Sequence, residues 1–308
     1  MPLRLILAVV ALLVPTTTMR APGTQTNARR IAITIDDVPW TGGDESAQAR
    51  SAATSRMIEA LRAHHAPVAV FVICGRLHAD DPLLAQWIAA GATIGNHSAH
   101  HRDLNTTPLG EWLADVRSCD ADLQRITGKR VQFFRFPFLH EGQNDRQRDA
   151  AARLLGELHG RDADVTVDNS DVAANQPYSA AVAVGNTSAA HRFVQAALAH
   201  DLEATAHFEE VAHDKVGRDI PQILMLHASL MTAELLPNLL DSLERRGYRF
   251  VSLETALSDS VFQRPPCYIG SRGVSFLYRI APCRSHEDAW DHAAEAALLE
   301  AMPKAQSH

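Results

Sequence analysis

Two adjacent carboxylates follow a short apolar run that begins at residue 31 of this 308-residue sequence. Asp36 and Asp37 come directly after residues 31–35, which are apolar apart from Thr34. Successive side chains of a strand point to opposite sides, so one carboxylate can bind a metal while its neighbour accepts a proton. Because aspartate is also a common turn residue, the pair alone is equally compatible with a polar turn.

Three histidines follow a later apolar run. His97 and His101 are four residues apart, which on a helical turn places both rings on one face, about 5–6 Å apart. This spacing is used in helical zinc sites, whereas His100 lies off that face and is expected to be exposed. A solvated histidine loop is the alternative. The position after Gly95, at the end of a predicted strand, favours metal ligands.

Three more polar clusters occur where apolar runs end. Arg135 lies inside an apolar run, where an arginine is costly unless it is paired, so we predict that it meets a buried carboxylate. Asp168 and Asp171 follow another run, and His227 closes a third. For Asp168 and Asp171 the alternative is a polar turn, and for His227 it is a hydrogen-bonded core histidine. The shared position of these clusters at strand ends favours a common site.

Short apolar runs alternate with longer amphipathic segments, which predicts a parallel sheet with crossover helices. Seven or so strands suit a closed or nearly closed barrel, in which chemistry gathers at the carboxyl ends of the strands. We therefore predict an α/β fold, a distorted (β/α)7-type barrel with outer helices and a short C-terminal helical extension. The predicted strands are 31–35, 68–73, 93–95, 133–135, 165–167, 223–227 and 249–252. The predicted helices are 46–64, 82–90, 108–126, 144–158, 188–215, 233–246 and 285–301.

The composition limits the class of protein and its compartment. With 46% apolar and 21% charged residues, the chain is neither disordered nor fibrous. A net charge of −7 and the absence of basic runs argue against nucleic acid as a partner. Residues 5–14 are apolar, too few to span a bilayer, which needs about 20, and typical of a secretory signal. We expect a signal peptide over 1–21 and an exported protein, periplasmic or secreted, without a membrane span after cleavage.

Export permits disulfides, and the chain has four cysteines. Cys267 and Cys283 lie in one proline-rich stretch, which a disulfide between them would stabilise. Cys74 follows an apolar strand and Cys119 lies in a helical pattern, where each is equally well read as a small buried residue. The sequence leaves both pairings open.

Taken in order, the five clusters resemble the motifs of the polysaccharide deacetylase family, carbohydrate esterase family 4 with the NodB homology domain. The stretch 95–104 is the most specific part and is similar to the family's His-Ser/Thr-x-x-His metal motif. The family motifs Thr-Phe-Asp-Asp-Gly, Arg-x-Pro-aromatic, Asp-x-x-Asp-Trp and Leu-x-x-Leu-His correspond to residues 34–38, 135–138, 168–172 and 223–227. By this resemblance, 29–258 is the catalytic domain and 259–308 an extension packed on the barrel.

The resemblance implies that Asp37, His97 and His101 bind a divalent metal, most often zinc, with cobalt, manganese or nickel as alternatives. Three protein ligands and an open position suit a catalytic site. The metal would polarise the acetamide carbonyl and lower the pKa of a bound water toward about 7.

The resemblance also assigns the proton transfers. Asp36 would be the general base, with Arg135 holding it ionised. His227, paired with Asp168, would protonate the leaving amine. A backbone N–H near Phe138 would face the developing oxyanion.

Three positions depart from the family pattern. Val38 and Leu139 stand where glycine is common, and Val172 replaces an aromatic residue. The resemblance places all three around the pocket wall, so the shape of the sugar site differs from the family's.

Several residues are candidate substrate contacts. Phe138, Asp171 and Trp40 are assigned to substrate binding, with core packing as the alternative for Trp40. His140 and Glu141 are either subsite contacts or part of a solvated loop.

The predicted function is a metal-dependent hydrolase that removes N-acetyl groups from amino sugars of a polysaccharide. Peptidoglycan, chitin-like chains and exopolysaccharide glucosamine polymers are the candidate substrates. The alternatives are hydrolysis of a small non-sugar amide or O-acetyl ester on the same barrel, and a catalytically silent carbohydrate-binding envelope protein.

Overall fold

The computed structural model describes residues 29–43, 45–78 and 82–282. The predicted signal segment, the predicted helix 285–301 and Cys283 lie outside the described residues. No helix in the described ranges combines the length and apolarity needed to cross a membrane.

A parallel sheet forms the centre of the protein and confirms the predicted α/β class. Its strands pair in the order β5-β4-β3-β2-β1-β6, and β7 pairs with the start of β1. All of these pairings are parallel. The strands are β1 Arg29–Val38, β2 Val68–Val72, β3 Thr93–Asn96, β4 Phe133–Phe134, β5 Arg161–Asp162, β6 Gln222–His227 and β7 Tyr248–Phe250.

The chain between β5 and the next helix completes the curve of the sheet. Ala163 donates its N–H to Phe134 on β4, and four residues later Val167 forms a parallel bridge with Leu224 on β6. Residues 161–167 thus cross from one end of the sheet to the other. The predicted strand 165–167 is therefore wrong as a full strand: Thr166 and Val167 both donate to the Ile223 carbonyl, but only Val167 forms a bridge with β6 before the chain turns away.

Helices surround the sheet, most of them where the sequence predicts them. The helix over 172–183 is not predicted, because Pro177 interrupts the helical pattern. The helices are α1 Ala47–Ala63, α2 Leu83–Ala89, α3 Leu109–Thr127, α4 Asp145–Glu157, α5 Val172–Ala183, α6 Thr187–Val216, α7 Leu230–Arg245, α8 Leu253–Leu257 and α9 Phe276–Arg279.

A disulfide joins Cys74, just after β2, to Cys119 in the middle of α3. Backbone N–H groups of Cys74 and Gly75 donate to Ser98 and Ala99, at 3.2 and 2.7 Å. The disulfide therefore ties the loop after β2 to α3, and the two backbone hydrogen bonds tie the loop after β3 to the loop after β2.

The described part of the C-terminal segment packs against the crossing segment. Phe276 donates its N–H to the carbonyl of Val165 at 2.7 Å, and Arg279 binds Asp164 at 2.9 Å and also Glu141. These contacts hold α9 next to the barrel.

Candidate active site

Asp36 and Asp37 lie near the end of β1, just before Val38. Asp36 pairs with His227 of β6, whereas Asp37 has a φ of 61° and lies where the pairing of β1 with β2 is irregular, between Ile35 and Val38. Both carboxylates nevertheless approach Nε2 of His97, at 4.0 Å from Oδ2 of Asp36 and 3.4 Å from Oδ1 of Asp37. The structure therefore does not separate the two carboxylates as strand alternation predicts.

The loop after β3 carries His97 and His101. It is an irregular turn and not the helical turn that the spacing predicts, because Ser98 and His101 have φ values of 62° and 54°. The Asn96 side chain shapes the turn by accepting the Ser98 N–H at 2.7 Å and donating to Val116 at 3.0 Å. The two histidine rings still meet, with centroids 4.8 Å apart.

A single carboxylate oxygen lies between these rings. Oδ1 of Asp37 is 3.4 Å from Nε2 of His97 and 3.3 Å from Nε2 of His101. Nδ1 of His97 is 2.8 Å from the carbonyl of Arg135. Because a carbonyl only accepts, Nδ1 donates this hydrogen bond, and Nε2 is the ring nitrogen that faces Asp37.

The charges in this cluster favour cation binding. Burial, followed by the charge of His97, lowers the pKa of His101 to about 4, so the ring is neutral at neutral pH. Burial alone would raise the pKa of Asp37, but its contact with the His97 ring outweighs this and holds the pKa below its usual value. Oδ1 of Asp37 is buried and accepts no hydrogen bond in the described structure. A buried carboxylate oxygen beside two imidazole nitrogens fits a divalent metal.

Arg135 meets a buried carboxylate, as its position in an apolar run predicts. Its Nη1 donates to both oxygens of Asp36, at 3.1 and 3.0 Å, and both residues are 1% exposed. Its Nε donates to Ala163 at 2.6 Å, its Nη2 to Thr34 at 3.3 Å, and the guanidinium lies 4.4 Å from the Phe71 ring centroid. Every part of the cation is engaged, so Asp36 is held in one orientation.

His227 pairs with Asp171 and not with Asp168, so the predicted pairing is wrong. Nδ1 of His227 is 2.6 Å from Oδ1 of Asp171, and the His227 N–H donates to Oδ2 at 2.8 Å. The register explains the difference, because Val167 lies level with Leu224. Asp168 therefore stops about two residues, roughly 7 Å, short of His227 along the strand direction, and the chain reaches that level only near Asp171.

Asp171 controls the protonation of His227. Burial alone would lower the pKa of His227, but the charge and hydrogen bond of Asp171 outweigh it and raise the pKa to about 10. Asp171 stands at the N-cap of α5 without accepting a capping hydrogen bond. Its carboxylate is turned toward the histidine instead.

Helix α6 supports this turn with residues that the sequence gives no reason to select. The Asn169 side chain donates to Asp201 at 2.9 Å and accepts the Asp171 N–H at 3.3 Å. The backbone carbonyl of Asn169 is 2.8 Å from Nε2 of His200. Burial, and then the charge of Asp171, raise the pKa of Asp201 well above its usual value. No spacing pattern links 169 to 200 and 201, because they meet only through the fold.

The predicted substrate contacts differ in exposure. The Phe138 side chain is 55% exposed and lies against His101, with ring centroids 4.5 Å apart. Trp40 is buried in the core and donates its indole N–H to Glu45 at 3.2 Å, so it presents no open stacking face. Nδ1 of His140 is 2.8 Å from Asp103.

Arg76 is a charged neighbour of the cluster formed by Asp37, His97 and His101, and no sequence motif points to it. Its Nη1 lies 3.4 Å from Oδ2 of Asp37 and 3.4 Å from the carbonyl of Trp40. An arginine directly after an apolar strand and a Cys-Gly pair gives no motif signal.

A family model described as polysaccharide deacetylase matches residues 23–156. Two curated relatives from Bacillus subtilis (strain 168) are peptidoglycan-N-acetylmuramic acid deacetylases. PdaA is 29% identical over 85 residues, which are 27% of this chain and 32% of PdaA. PdaC is 26% identical over 122 residues, which are 40% of this chain and 24% of PdaC. The matched segments thus span about a third and a quarter of these relatives.

Solved structures support the fold. A chitin deacetylase from Colletotrichum lindemuthianum is 21% identical, with a TM-score of 0.53, and the match covers 76% of this chain and 89% of that chain. A mutant of BA3943, a CE4 family pseudoenzyme with restored activity, is 19% identical with a TM-score of 0.53, covering 75% and 68%. The wild-type BA3943 is from Bacillus anthracis.

Proposed function

Because the chain belongs to the polysaccharide deacetylase family, we propose that it is a metal-dependent hydrolase that removes N-acetyl groups from amino sugars of a polysaccharide. One observation carries the proposal. The unpartnered Oδ1 of Asp37 faces Nε2 of both His97 and His101, next to a second carboxylate held by a buried arginine.

Asp37, His97 and His101 would hold the metal, and their ligand atoms lie within 4.8 Å of one another. Bound there, a divalent cation supplies Lewis-acid polarisation of the acetamide carbonyl and a lowered pKa of water. Zinc is the first candidate from its ligand preference for imidazole and carboxylate, and cobalt, manganese and nickel are alternatives.

Asp36 and His227 would move the protons. They lie side by side in the β1–β6 register. Asp36 takes a proton from the attacking water, which adds its oxygen to the acetyl carbon. His227, kept protonated by Asp171, gives a proton to the nitrogen as the C–N bond breaks, so that acetate and a free amine leave. Arg135 orients the base.

The loop after β4 would complete the substrate site. Phe138 has a φ of 59°, and its exposed ring lies beside His101. We propose that its backbone N–H faces the developing oxyanion and that its ring contacts the sugar.

The polymer and the compartment are also part of the proposal. The two Bacillus relatives are named as peptidoglycan deacetylases, which makes peptidoglycan the first candidate ahead of chitin-like and exopolysaccharide chains. The predicted signal segment supports an exported protein, periplasmic or secreted, with 29–258 as the catalytic domain and 259–308 as an extension packed on it.

Mass spectrometry of defined oligosaccharides tests this function. The zinc-loaded protein should release acetate from peptidoglycan fragments or from N-acetylglucosamine oligomers, and each product should lose the mass of acetyl groups. Turnover of only a small amide or an O-acetyl ester would replace the polysaccharide assignment. Binding of the oligosaccharides without acetate release would identify a silent carbohydrate-binding protein.

Asp171→Asn should shift the alkaline limit of activity. His227 must be protonated to act as an acid, and it is protonated below its pKa of about 10. Removing the charge of Asp171 lowers this pKa by about 1–3 units. As the pH is raised, the variant should therefore lose activity at a lower pH than the unmutated protein does. The profile of kcat/KM against pH measures this shift.

Asp168→Asn is the matched control, because the Asp168 side chain accepts from Ser170 and is not the hydrogen-bond partner of His227. It should move the alkaline limit less. A larger shift in Asp168→Asn than in Asp171→Asn would restore the pairing that the sequence predicts.

A further inference from the structure

The turn that follows β4 has a backbone that needs support from its surroundings. Phe138 and Leu139 have φ values of 59° and 54°. Two consecutive residues other than glycine in the left-handed region are uncommon, and they persist only where neighbouring structure holds them. The N–H groups of Leu139 and His140 donate to the carbonyls of Phe136 and Pro137, at 3.0 and 3.1 Å. These two hydrogen bonds fix the shape of the turn but not its position relative to the barrel.

Gly273, in the described C-terminal residues 259–282, lies directly against this turn. A Cβ atom added at Gly273 would overlap the carbonyl oxygen of Phe138, and it would lie 2.9 Å from the carbonyl carbon and 3.1 Å from Cβ of Leu139. The φ of Gly273 is not positive. Glycine is therefore required here for the close approach of two backbones and not for a left-handed turn.

Hydrogen bonds on both sides of Gly273 hold the C-terminal residues in place. Before it, the carbonyl of Ser271 accepts from the Asn105 side chain at 3.2 Å. After it, the Ser275 hydroxyl donates to the carbonyl of Thr166 at 2.7 Å. Because the chain is anchored before and after Gly273, it forms a fixed wall against which the turn after β4 rests.

We propose that Gly273 is a positioning residue for the deacetylation. Its contact with the Phe138 carbonyl sets the place of the Phe138 N–H and of the ring that lies beside His101. This inference rests on the proposed function, in which both groups face the substrate, and Gly273 acts only through Phe138. Because the family model matches residues 23–156, this support of the active site comes from a part of the chain outside the match.

Gly273→Ala tests the role in turnover. The added methyl group must displace the Phe138 carbonyl, and a misplacement of about 1 Å costs up to about 100-fold in rate. We expect kcat to fall by about 10–100-fold at unchanged metal content. KM should change less, because the oxyanion that the N–H would face forms only in the transition state. Thermal unfolding confirms that the variant is folded.

Gly270→Ala is the matched control in the same stretch of chain. Its φ is also not positive, and the atoms nearest to an added Cβ all belong to the end of the Tyr268 side chain, which can rotate away. This variant should keep kcat and KM within about twofold of the unmutated values, since no backbone has to move.

Hydrogen–deuterium exchange of the zinc-loaded protein reads the turn without substrate. The amides of Leu139 and His140 close the turn, so a peptide covering 136–143 should exchange at least about tenfold faster in Gly273→Ala and at the unmutated rate in Gly270→Ala. If Gly273→Ala does not fold, Asn105→Ala releases the Ser271 carbonyl without adding an atom. It should speed exchange of the same peptide by a smaller factor, and an unchanged rate would then overturn the inference.

The outcomes separate this inference from the proposed function. Equal kinetics in Gly273→Ala and Gly270→Ala, or loss of metal from Gly273→Ala, would overturn the positioning role. Faster exchange confined to residues 265–280 would also overturn it, because the C-terminal residues and not the turn would then have yielded. Faster exchange of the turn in a protein whose unmutated form releases no acetate would overturn the deacetylase proposal and leave Gly273 as the residue that positions the turn.

Discussion

Replacing Asp37 with alanine should remove both the bound metal and the release of acetate. The substitution deletes the one oxygen that faces Nε2 of both His97 and His101, so two imidazole ligands would remain without the negative charge that balances a dication. His97→Ala should have the same result. Metal content by elemental mass spectrometry after dialysis against chelator and zinc reloading, together with acetate release, measures both effects.

His100→Ala is the matched control for the metal centre. His100 lies in the same loop, but its side chain is 64% exposed and its Nδ1 contacts Asp115. This variant should keep stoichiometric metal. If Asp37→Ala binds as much metal as the unmutated protein, the assignment of Asp37 as a ligand is wrong.

Asp36→Asn should keep the metal and lose turnover. The amide occupies the same space but cannot take a proton from water, and loss of a general base costs about 10²–10⁴-fold in rate. The metal ligands are on other residues, so metal content should stay at the unmutated level. The discriminating measurement is kcat at saturating substrate, taken on protein of known metal content.

Folding must be checked in this variant. Asparagine keeps an oxygen that can accept from Nη1 of Arg135 but removes the charge that pairs with this buried cation, and breaking a buried ion pair destabilises by about 3–5 kcal/mol. Thermal unfolding should show a lower midpoint with one cooperative transition. A folded, metal-loaded Asp36→Asn protein with unmutated kcat would mean that another group is the base.

The sequence is most informative where local chemistry is decisive. Short apolar runs predict the strands from β1 to β4, because a buried parallel strand has to be apolar on both faces. Asp36, Asp37, His97 and His101 lie within a few residues of strand ends, so strand position alone brings them to one edge. The cost of burying Arg135 predicts a carboxylate partner without naming it.

The sequence is least informative where partners meet across the fold. The choice between Asp168 and Asp171 depends on the register of Val167 against β6, which no local pattern encodes. The support of Asn169 by Asp201 depends on how α6 packs. The burial of Trp40 depends on the core around it, although its residue type fits a stacking surface equally well.

The disulfide between Cys74 and Cys119 has a consequence for the metal centre. The bond closes a covalent ring over a separation of 45 residues, and this ring contains His97 and His101 but not Asp37. Two of the three candidate ligands therefore share a stretch of chain whose freedom depends on thiol oxidation, while the third lies outside it. A chain made under reducing conditions would present the same ligand types on a looser loop. Metal affinities of this protein are therefore comparable only between samples with the same thiol oxidation state.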